Sequence, residues 1–397
     1  MIVGVVKETY AGERRVALTP VVLASLVKAQ LEILIEQGAG AEAGFSDDAY
    51  QAKGARIVDS RAQVFSVADI MCQVRALGAN PQSGRADLEL MRSGQVIVGH
   101  AEPLTHAEPT QALADEGVLT FAMELMPRIS RAQSMDVLSS QATITGYKAV
   151  VLGADHLPKI FPMMMTAAGT IAPVKAFIIG AGVAGLQAIA TSKKLGAVVT
   201  AYDIRPAVKL EVESVGGKFL EIELEAAGAQ DKGGYAKAMD DVFISKQQEM
   251  MSQAVADSDL VISTAAVPGK KSPVLVTAEM VHRMARGSVI VDLAAERGGN
   301  CELTKADEIV DVNGVTILGP TNLPATVPYD ASLMYARNIA SFLLHLVKDG
   351  ELNLDMEDEI IEQTLLTRDG QIVQRRVREI LGLDTPAVTG AEQGSAN

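Results

Sequence analysis

Residues 180–185 read Gly-Ala-Gly-Val-Ala-Gly, directly after the apolar run Ala176-Phe177-Ile178-Ile179 and at the start of an amphipathic stretch. A strand that turns into a helix on this pattern has few architectures open to it, because the unit it builds belongs in a parallel sheet. Gly180 permits the tight turn, Gly182 lets the backbone approach a pyrophosphate, and Gly185 lets helix pack on strand. The helix then opens at Val183, with free N–H groups and a partial positive charge for phosphate. In a chain with 34 glycines the pattern means little alone, and its context gives it weight. The next predicted strand, 198–203, ends in Asp203, where an acid accepts hydrogen bonds from an adenosine ribose. That acid repels a 2′-phosphate and favours NAD over NADP. Ile204 and Arg205 follow it, and Arg205 can pair with a phosphate, which argues the other way. Thr264, Ala265 and Ala266, at the end of a further predicted strand, are expected to meet the nucleotide through their backbone. Residues 269–272, Gly-Lys-Lys-Ser, lack the upstream glycine of a Walker motif, so a nucleotide triphosphatase is not expected.

The rest of the chain alternates in the same way. Predicted strands fall at 2–6, 32–36, 68–74, 95–99 and 118–122. Helices lie between them, one opening at Thr19-Pro20 and running to Lys28, another opening at Ser46-Asp47-Asp48. A second set of strands follows at 175–179, 198–203, 260–264, 288–293 and 316–318. Residues 127–152 read mostly as helix. The predicted fold is α/β: two Rossmann-like domains with parallel sheets and a cleft between them that holds NAD. A helix over 331–348 is expected to return to the first domain, followed by a hairpin over 364–373 turning at Arg368-Asp369-Gly370. The first domain is therefore non-contiguous, 1–126 plus 328–383. The NAD-binding domain with its linking helix covers 127–327, and 384–397 reads as a disordered tail.

Composition narrows the function. The 397 residues carry 35 Lys and Arg against 49 Asp and Glu, a net charge of −14, with 4% aromatics and no Trp. A nucleic-acid backbone binder is excluded, and attraction to an anionic lipid surface is disfavoured. The longest apolar stretches, 161–174 and 176–190, fall short of the ~20 residues that span a bilayer, so no direct membrane insertion is expected. Two distant cysteines, Cys72 and Cys301, suit a reduced cytoplasmic protein. None of the five histidines stands at a metal-site spacing with them, so no structural zinc is predicted. The first residues read as a strand rather than a signal peptide.

Lys7-Glu8 with residues 13–20 (Glu-Arg-Arg-Val-Ala-Leu-Thr-Pro) resembles the opening shared by alanine dehydrogenase and proton-translocating transhydrogenase. So do Pro268-Gly269-Lys270, residues 287–293 and Gly298-Gly299. The resemblance covers nearly the whole chain. Residues 126–136, Met-Pro-Arg-Ile-Ser-Arg-Ala-Gln-Ser-Met-Asp, and Ser139 are similar to the nicotinamide-side loop of the NAD(H)-binding component of transhydrogenase. Residues 161–169 match it as well. Residues 231–237, Asp-Lys-Gly-Gly-Tyr-Ala-Lys, resemble the loop that closes over NAD in that family, with Gly234 and Tyr235 against the cofactor. Composition alone would read them as a surface loop.

The resemblance implies an oxidoreductase that passes hydride between NAD(H) and NADP(H), the latter held on a partner subunit. It implies that Gln133 hydrogen-bonds the dihydronicotinamide or its ribose. Arg128 and Asp136 would form a polar pair positioning the ring and its carboxamide, with Ser139 assisting. Residue types alone would make Arg128 and Asp136 a helix-surface ion pair. It implies a homodimer, joined to an NADP-binding subunit and to membrane-spanning subunits that translocate protons. The chain would then be cytoplasmic and peripheral to the inner membrane, stopping where some relatives continue into transmembrane helices. Hydride transfer between two nicotinamides needs alignment and little acid–base machinery. An NAD-dependent alanine dehydrogenase, the alternative, needs an acid–base pair, which that enzyme builds from a lysine and a histidine of its first domain. Here His100 can match the histidine, and no lysine stands near Arg75. A third reading is a non-catalytic NAD-binding module that regulates a partner.

Overall fold

A computed structural model describes residues 1–105, 107–221, 241–266 and 271–383. The chain divides into two compact units, Met1–Ser140 with Ala325–Asn397, and Gln141–Pro324. Each is built on its own twisted sheet.

In the first unit the eight strands lie in the order Gln371–Ile372, Leu365–Arg368, Leu119–Ala122, Val96–His100, Ile70–Arg75, Ile2–Val5, Glu32–Glu36, Arg56–Val58. Counted from Ile2–Val5, the six parallel strands run 3-2-1-4-5-6, the order of a doubly wound dinucleotide fold. Both faces are buried, so these strands read as near-continuous apolar runs. Along Ile70–Arg75, Ile70, Cys72 and Val74 enter one core while Met71 enters the other. The first core is closed by helix Pro328–Leu346, with Pro328 in its first turn. Its Tyr335, Ile339, Phe342 and Leu343 are fully buried, and Phe342 meets Phe121 edge-on at 5.3 Å between ring centroids. The second core is closed by Val64, Phe65 and Leu113.

In the second unit the order is Lys218–Phe219, Val198–Tyr202, Lys175–Ile179, Leu260–Ser263, Val289–Asp292, Val315–Leu318, Ile309–Val312. Counted from Lys175–Ile179, its six parallel strands again run 3-2-1-4-5-6. The strands on either side of Lys175–Ile179 are reached by crossovers in opposite directions, which opens a crevice beyond the strand ends where ligands bind in such sheets.

The structure departs from a purely parallel reading at the edges. Leu365–Arg368 pairs antiparallel with Leu119–Ala122 and with Gln371–Ile372, and Ile309–Val312 pairs antiparallel with Val315–Leu318. The cause is local. Asp369-Gly370 (φ 51° and 75°) and Asn313-Gly314 (φ 55° and 86°) place two successive residues in the left-handed region. That is a two-residue hairpin turn, too short for a parallel crossover. A second departure lies in 127–152. Helix begins only at Val137 and runs to His156, after a short 3-10 turn, Ser130–Met135. Pro127 and the Asp136–Ser139 pair explain the late start, because Asp136 caps the helix as described below. Residues 164–171 form an exposed hairpin, Met164–Thr166 with Gly169–Ile171, between the buried Phe161 and Val174. Among the described residues no helix is long and apolar enough to cross a membrane. The predicted tail 384–397 lies outside the described residues.

Candidate active site

Strand Lys175–Ile179 ends at Gly180, whose φ of +94° suits glycine. Gly182 precedes the first turn of helix Val183–Lys194. A Cβ on Gly185 would stand 1.9 Å from the Gly180 carbonyl oxygen, so only glycine lets the helix approach the turn this closely. A Cβ on Gly182 would meet nothing within 4 Å. The loop thus has a tight inner side and an open outer side facing the helix N-terminus, where a pyrophosphate fits. Val183 opens the helix half-exposed beside it. Thr264 Oγ1 donates to the Gly180 carbonyl at 3.1 Å, joining the ends of the first and fourth parallel strands at the crevice.

Asp203 follows strand Val198–Tyr202. Its Oδ2 accepts the Ala181 N–H at 2.8 Å, so the carboxylate also fixes the glycine turn. Arg205 folds back on it, Nε to Oδ1 and Nη2 to Oδ2, both at 3.0 Å. Burial pushes the Asp203 carboxyl up, but Arg205 and the Ala181 N–H outweigh it and hold the pKa below the ordinary value. The group is therefore ionised at neutral pH and can accept ribose hydroxyls. Arg205 is engaged on Asp203 while its own side chain stays half-exposed. Ile204 is exposed beside them. Asp203→Ala is expected to weaken NAD+ binding about tenfold, the worth of one hydrogen bond to a charged group, measured by titration calorimetry.

A buried network supports the neighbouring loop. Asp292, fully buried, accepts hydrogen bonds from Ser263 Oγ and Thr304 Oγ1 and from the backbone N–H groups of Ala294, Asn300 and Cys301, at 2.8–3.0 Å. Asn300 in turn accepts the Ala265 N–H at 3.0 Å and donates to the carbonyls of Ala265 and Pro273, both at 2.8 Å. Ala265 and the exposed Ala266 are thereby set at the strand end beside the glycine turn. Sequence reasoning misses both Asp292 and Asn300. The signal is present in Asp292 and the pair Gly298-Gly299, whose φ of 94° and 79° turn the chain back so that Asn300 reaches the carboxylate.

In the first unit the same position of the sheet is filled by the protein's own charges. Glu8 accepts the N–H groups of Val74 and Arg75 at 2.6 and 3.1 Å. Burial, with Glu13 nearby, pushes its pKa up to about 7. Glu13 takes Arg15 through two bonds, at 2.7 and 2.6 Å, and Arg75 at 3.3 Å. Arg75 also lies over the Tyr10 ring. His100 donates Nδ1–H to the Val74 carbonyl at 3.1 Å, and burial with Arg15 beside it lowers its pKa to about 4. The described residues of this unit form no dinucleotide cradle. The histidine is neutral at physiological pH, and its cationic neighbours are held by an internal carboxylate.

The segment 126–136 lies in the first unit. Its 3-10 turn, Ser130–Met135, buries Ala132 and Met135 and leaves Gln133 exposed. Asp136 accepts Ser139 N–H at 2.9 Å on Oδ1 and Ser139 Oγ at 2.5 Å on Oδ2. The carboxylate is thus a cap for the long helix. Arg128 is exposed, and no ion pair joins it to Asp136 among the described residues, where Asp136 is engaged by Ser139. Gly234, Tyr235 and Pro268-Gly269-Lys270 lie outside the described residues.

A 3-2-1-4-5-6 sheet, a glycine turn into a helix N-terminus and an acid ending the second strand define a dinucleotide-binding α/β protein. The chain belongs to the alanine dehydrogenase/PNT family. Residues 4–145 match that family's N-terminal domain and residues 149–375 its C-terminal domain. It is 46% identical over 393 residues to an NAD(P) transhydrogenase subunit alpha chain of Rhodospirillum rubrum, covering 98% of this chain and 99% of that one. A solved transhydrogenase from Sinorhizobium meliloti superposes with a TM-score of 0.84 at 42% identity, covering 94% of this chain and all of that one. Alanine dehydrogenase of Bacillus subtilis is more distant, 29% identical over 97% of this chain and 96% of its own.

Proposed function

We propose that this chain is the NAD(H)-binding subunit of a proton-translocating transhydrogenase, passing hydride between its own NAD(H) and NADP(H) on a partner subunit. The observation that carries the reading is the full-length likeness to a transhydrogenase alpha subunit at 46% identity. The geometry supports it, because the described residues offer a dinucleotide cradle, and His100 is spent on the Val74 carbonyl. When bound, a nicotinamide would supply the hydride chemistry, and the residues holding it would need to move no proton. The protein's own residues have simpler tasks. Gly180, Gly182 and Gly185 with the N–H groups at Val183 hold the pyrophosphate, and Asp203 holds the ribose. Gln133 hydrogen-bonds the dihydronicotinamide or its ribose, on the side where the NADP-binding subunit's nucleotide approaches. Arg128 orients the carboxamide, and Asp136 with Ser139 holds the start of the long helix in register with them.

Proton passage belongs to membrane-spanning subunits of the complex, which would hold this chain at the membrane as a peripheral component. The subunit works as a homodimer. The exposed apolar hairpin, with Met163, Met164, Met165 and Ile171 each more than 40% exposed, supports a contact with another protein surface.

Gln133→Asn is expected to slow hydride transfer about tenfold in the assembled enzyme with NADH affinity nearly unchanged, because a shortened side chain misaligns the ring. Stopped-flow reduction of an NADP+ analogue measures the first quantity and a fluorescence titration the second. Unchanged turnover would remove Gln133 from the mechanism. His100→Gln separates the dehydrogenase reading. A neutral histidine bonded to a carbonyl has no step to perform in transhydrogenation, so turnover should stay within about twofold. NADH formation from L-alanine and NAD+, abolished by that substitution, would instead establish an alanine dehydrogenase.

A further inference from the structure

We propose that Asn338 and Asp358, both on the returning C-terminal stretch, are positioning residues for hydride transfer that clamp the short 3-10 helix carrying Gln133. The inference rests on the role of Gln133 proposed above. It starts from the weakness of that helix. Ser130–Met135 is a 3-10 turn, whose hydrogen bonds are poorly aligned and rarely persist without outside support. Its closing bond, Asp136 N–H to the Gln133 carbonyl, is 3.4 Å long. Two polar tethers flank Gln133. On its C-terminal side Asn338 Nδ2 donates to the Ser134 carbonyl at 2.7 Å. On its N-terminal side Arg131 meets Asp358 Oδ1 at 2.7 Å. Asp358 is itself pinned. Its Oδ2 receives His345 Nε2 at 2.5 Å, and its Oδ1 receives the Ile360 N–H at 3.0 Å, capping helix Glu359–Thr364. Asn338 and His345 share the helix Pro328–Leu346. That helix is anchored in the core of the first unit through Tyr335, Ile339 and Phe342. Rigid elements therefore reach the exposed turn from both sides.

The chemistry of Asn338 argues that this is more than packing. Its side chain is 8% exposed, and its Oδ1 is buried with no hydrogen-bond partner among the described residues. A buried amide left half satisfied opposes folding, and an aliphatic side chain of similar size would serve stability better. What an aliphatic residue cannot do is hold the Ser134 carbonyl. Displacing a positioning group by about 1 Å costs up to ~100-fold in rate, so a tether of this kind acts on turnover before it acts on binding.

The test uses the assembled enzyme and follows hydride transfer, NADH affinity and thermal stability together. Asn338→Leu is expected to lower turnover about fivefold, with NADH affinity within about twofold and a melting temperature equal to or above the parent. Asp358→Asn should act in the same direction, and Arg131→Lys should retain more turnover than Arg131→Met. The decisive comparison is the double variant Gln133→Asn with Asn338→Leu. If the tether works through Gln133, the double variant is no slower than Gln133→Asn alone. Losses that multiply, or losses that follow a falling melting temperature, overturn the proposal and make the contacts purely structural. Full turnover in Asn338→Leu and Asp358→Asn overturns it as well. If Gln133→Asn itself leaves hydride transfer intact, the assigned role of Gln133 fails first, a result distinguishable from the others. Should Asn338→Leu not fold, the Arg131→Lys and Arg131→Met comparison decides.

Discussion

Gly185→Ala and Gly182→Ala are expected to lose NADH binding for opposite reasons, and the pair separates the scaffold from the ligand site. At Gly185 the new Cβ would fall 1.9 Å from the Gly180 carbonyl oxygen, a backbone atom that no side-chain rotation can clear. The helix Val183–Lys194 must withdraw from the turn, and the Thr264–Gly180 hydrogen bond is strained with it. Overpacking of this kind destabilises by about 1–3 kcal/mol. NADH affinity should fall more than about 100-fold, because the N–H groups that meet the pyrophosphate move with the helix. At Gly182 the Cβ meets nothing within 4 Å, so the variant should melt at the parent temperature. It should still bind NADH at least about tenfold more weakly, since the methyl occupies the approach of the phosphates. Fluorescence titration with a thermal melt on each variant checks both. Parent-like affinity in Gly182→Ala would show that the phosphates do not pass over this loop.

Features with a local cause are legible in the sequence. Helix Pro20–Lys28 and strand Glu32–Glu36 fall where proline placement and a β-branched run put them. The glycine turn, the acid at Asp203 and the hairpin at Asp369-Gly370 are equally readable. Asn313-Gly314 carries an equivalent signal, but the predicted strands omit the antiparallel edge strand Ile309–Val312 that it produces. Arg56–Val58 escapes prediction for a different reason: three residues, none fully buried, carry too little pattern. Features whose cause is distant are not legible. Nothing in the sequence sets Glu13 and Arg15 apart from Arg14, yet each is only 6% exposed, because Glu13 holds both Arg15 and the distant Arg75 inside the fold. Asn338 stands 204 residues from Ser134, and no periodicity relates them. The cradle is therefore readable from its own motif, whereas the groups that hold the loops around it come from chain segments that only folding brings together.

Asp292 ties the loop that follows its own strand to the neighbouring strand, and its removal should have a large effect on stability. Five donors converge on one fully buried carboxylate, three of them backbone N–H groups of residues 294, 300 and 301. Asp292→Ala leaves all five without their acceptor, in a space opened by the loss of the carboxyl group. Hydrogen bonds to a charged group are worth about 1.5–3 kcal/mol each, and even with water entering the gap the net loss should be about 4 kcal/mol. For a unit of this size that lowers the melting temperature by roughly 8–16 °C. Asp292→Asn keeps the volume but presents an amide that must turn one N–H toward groups that only donate, so it should be intermediate. Binding should fall in step. Asn300 loses the anchor of its backbone, and Asn300 is the residue that fixes Ala265 beside the glycine turn. Asn300→Ala, which keeps the Asp292 cluster and breaks only the link to Ala265 and Pro273, should therefore lose more NADH affinity per degree of melting temperature than Asp292→Asn. If the two variants lose affinity and stability in the same proportion, the network supports the fold alone, and the strand-end loop is set by its own backbone.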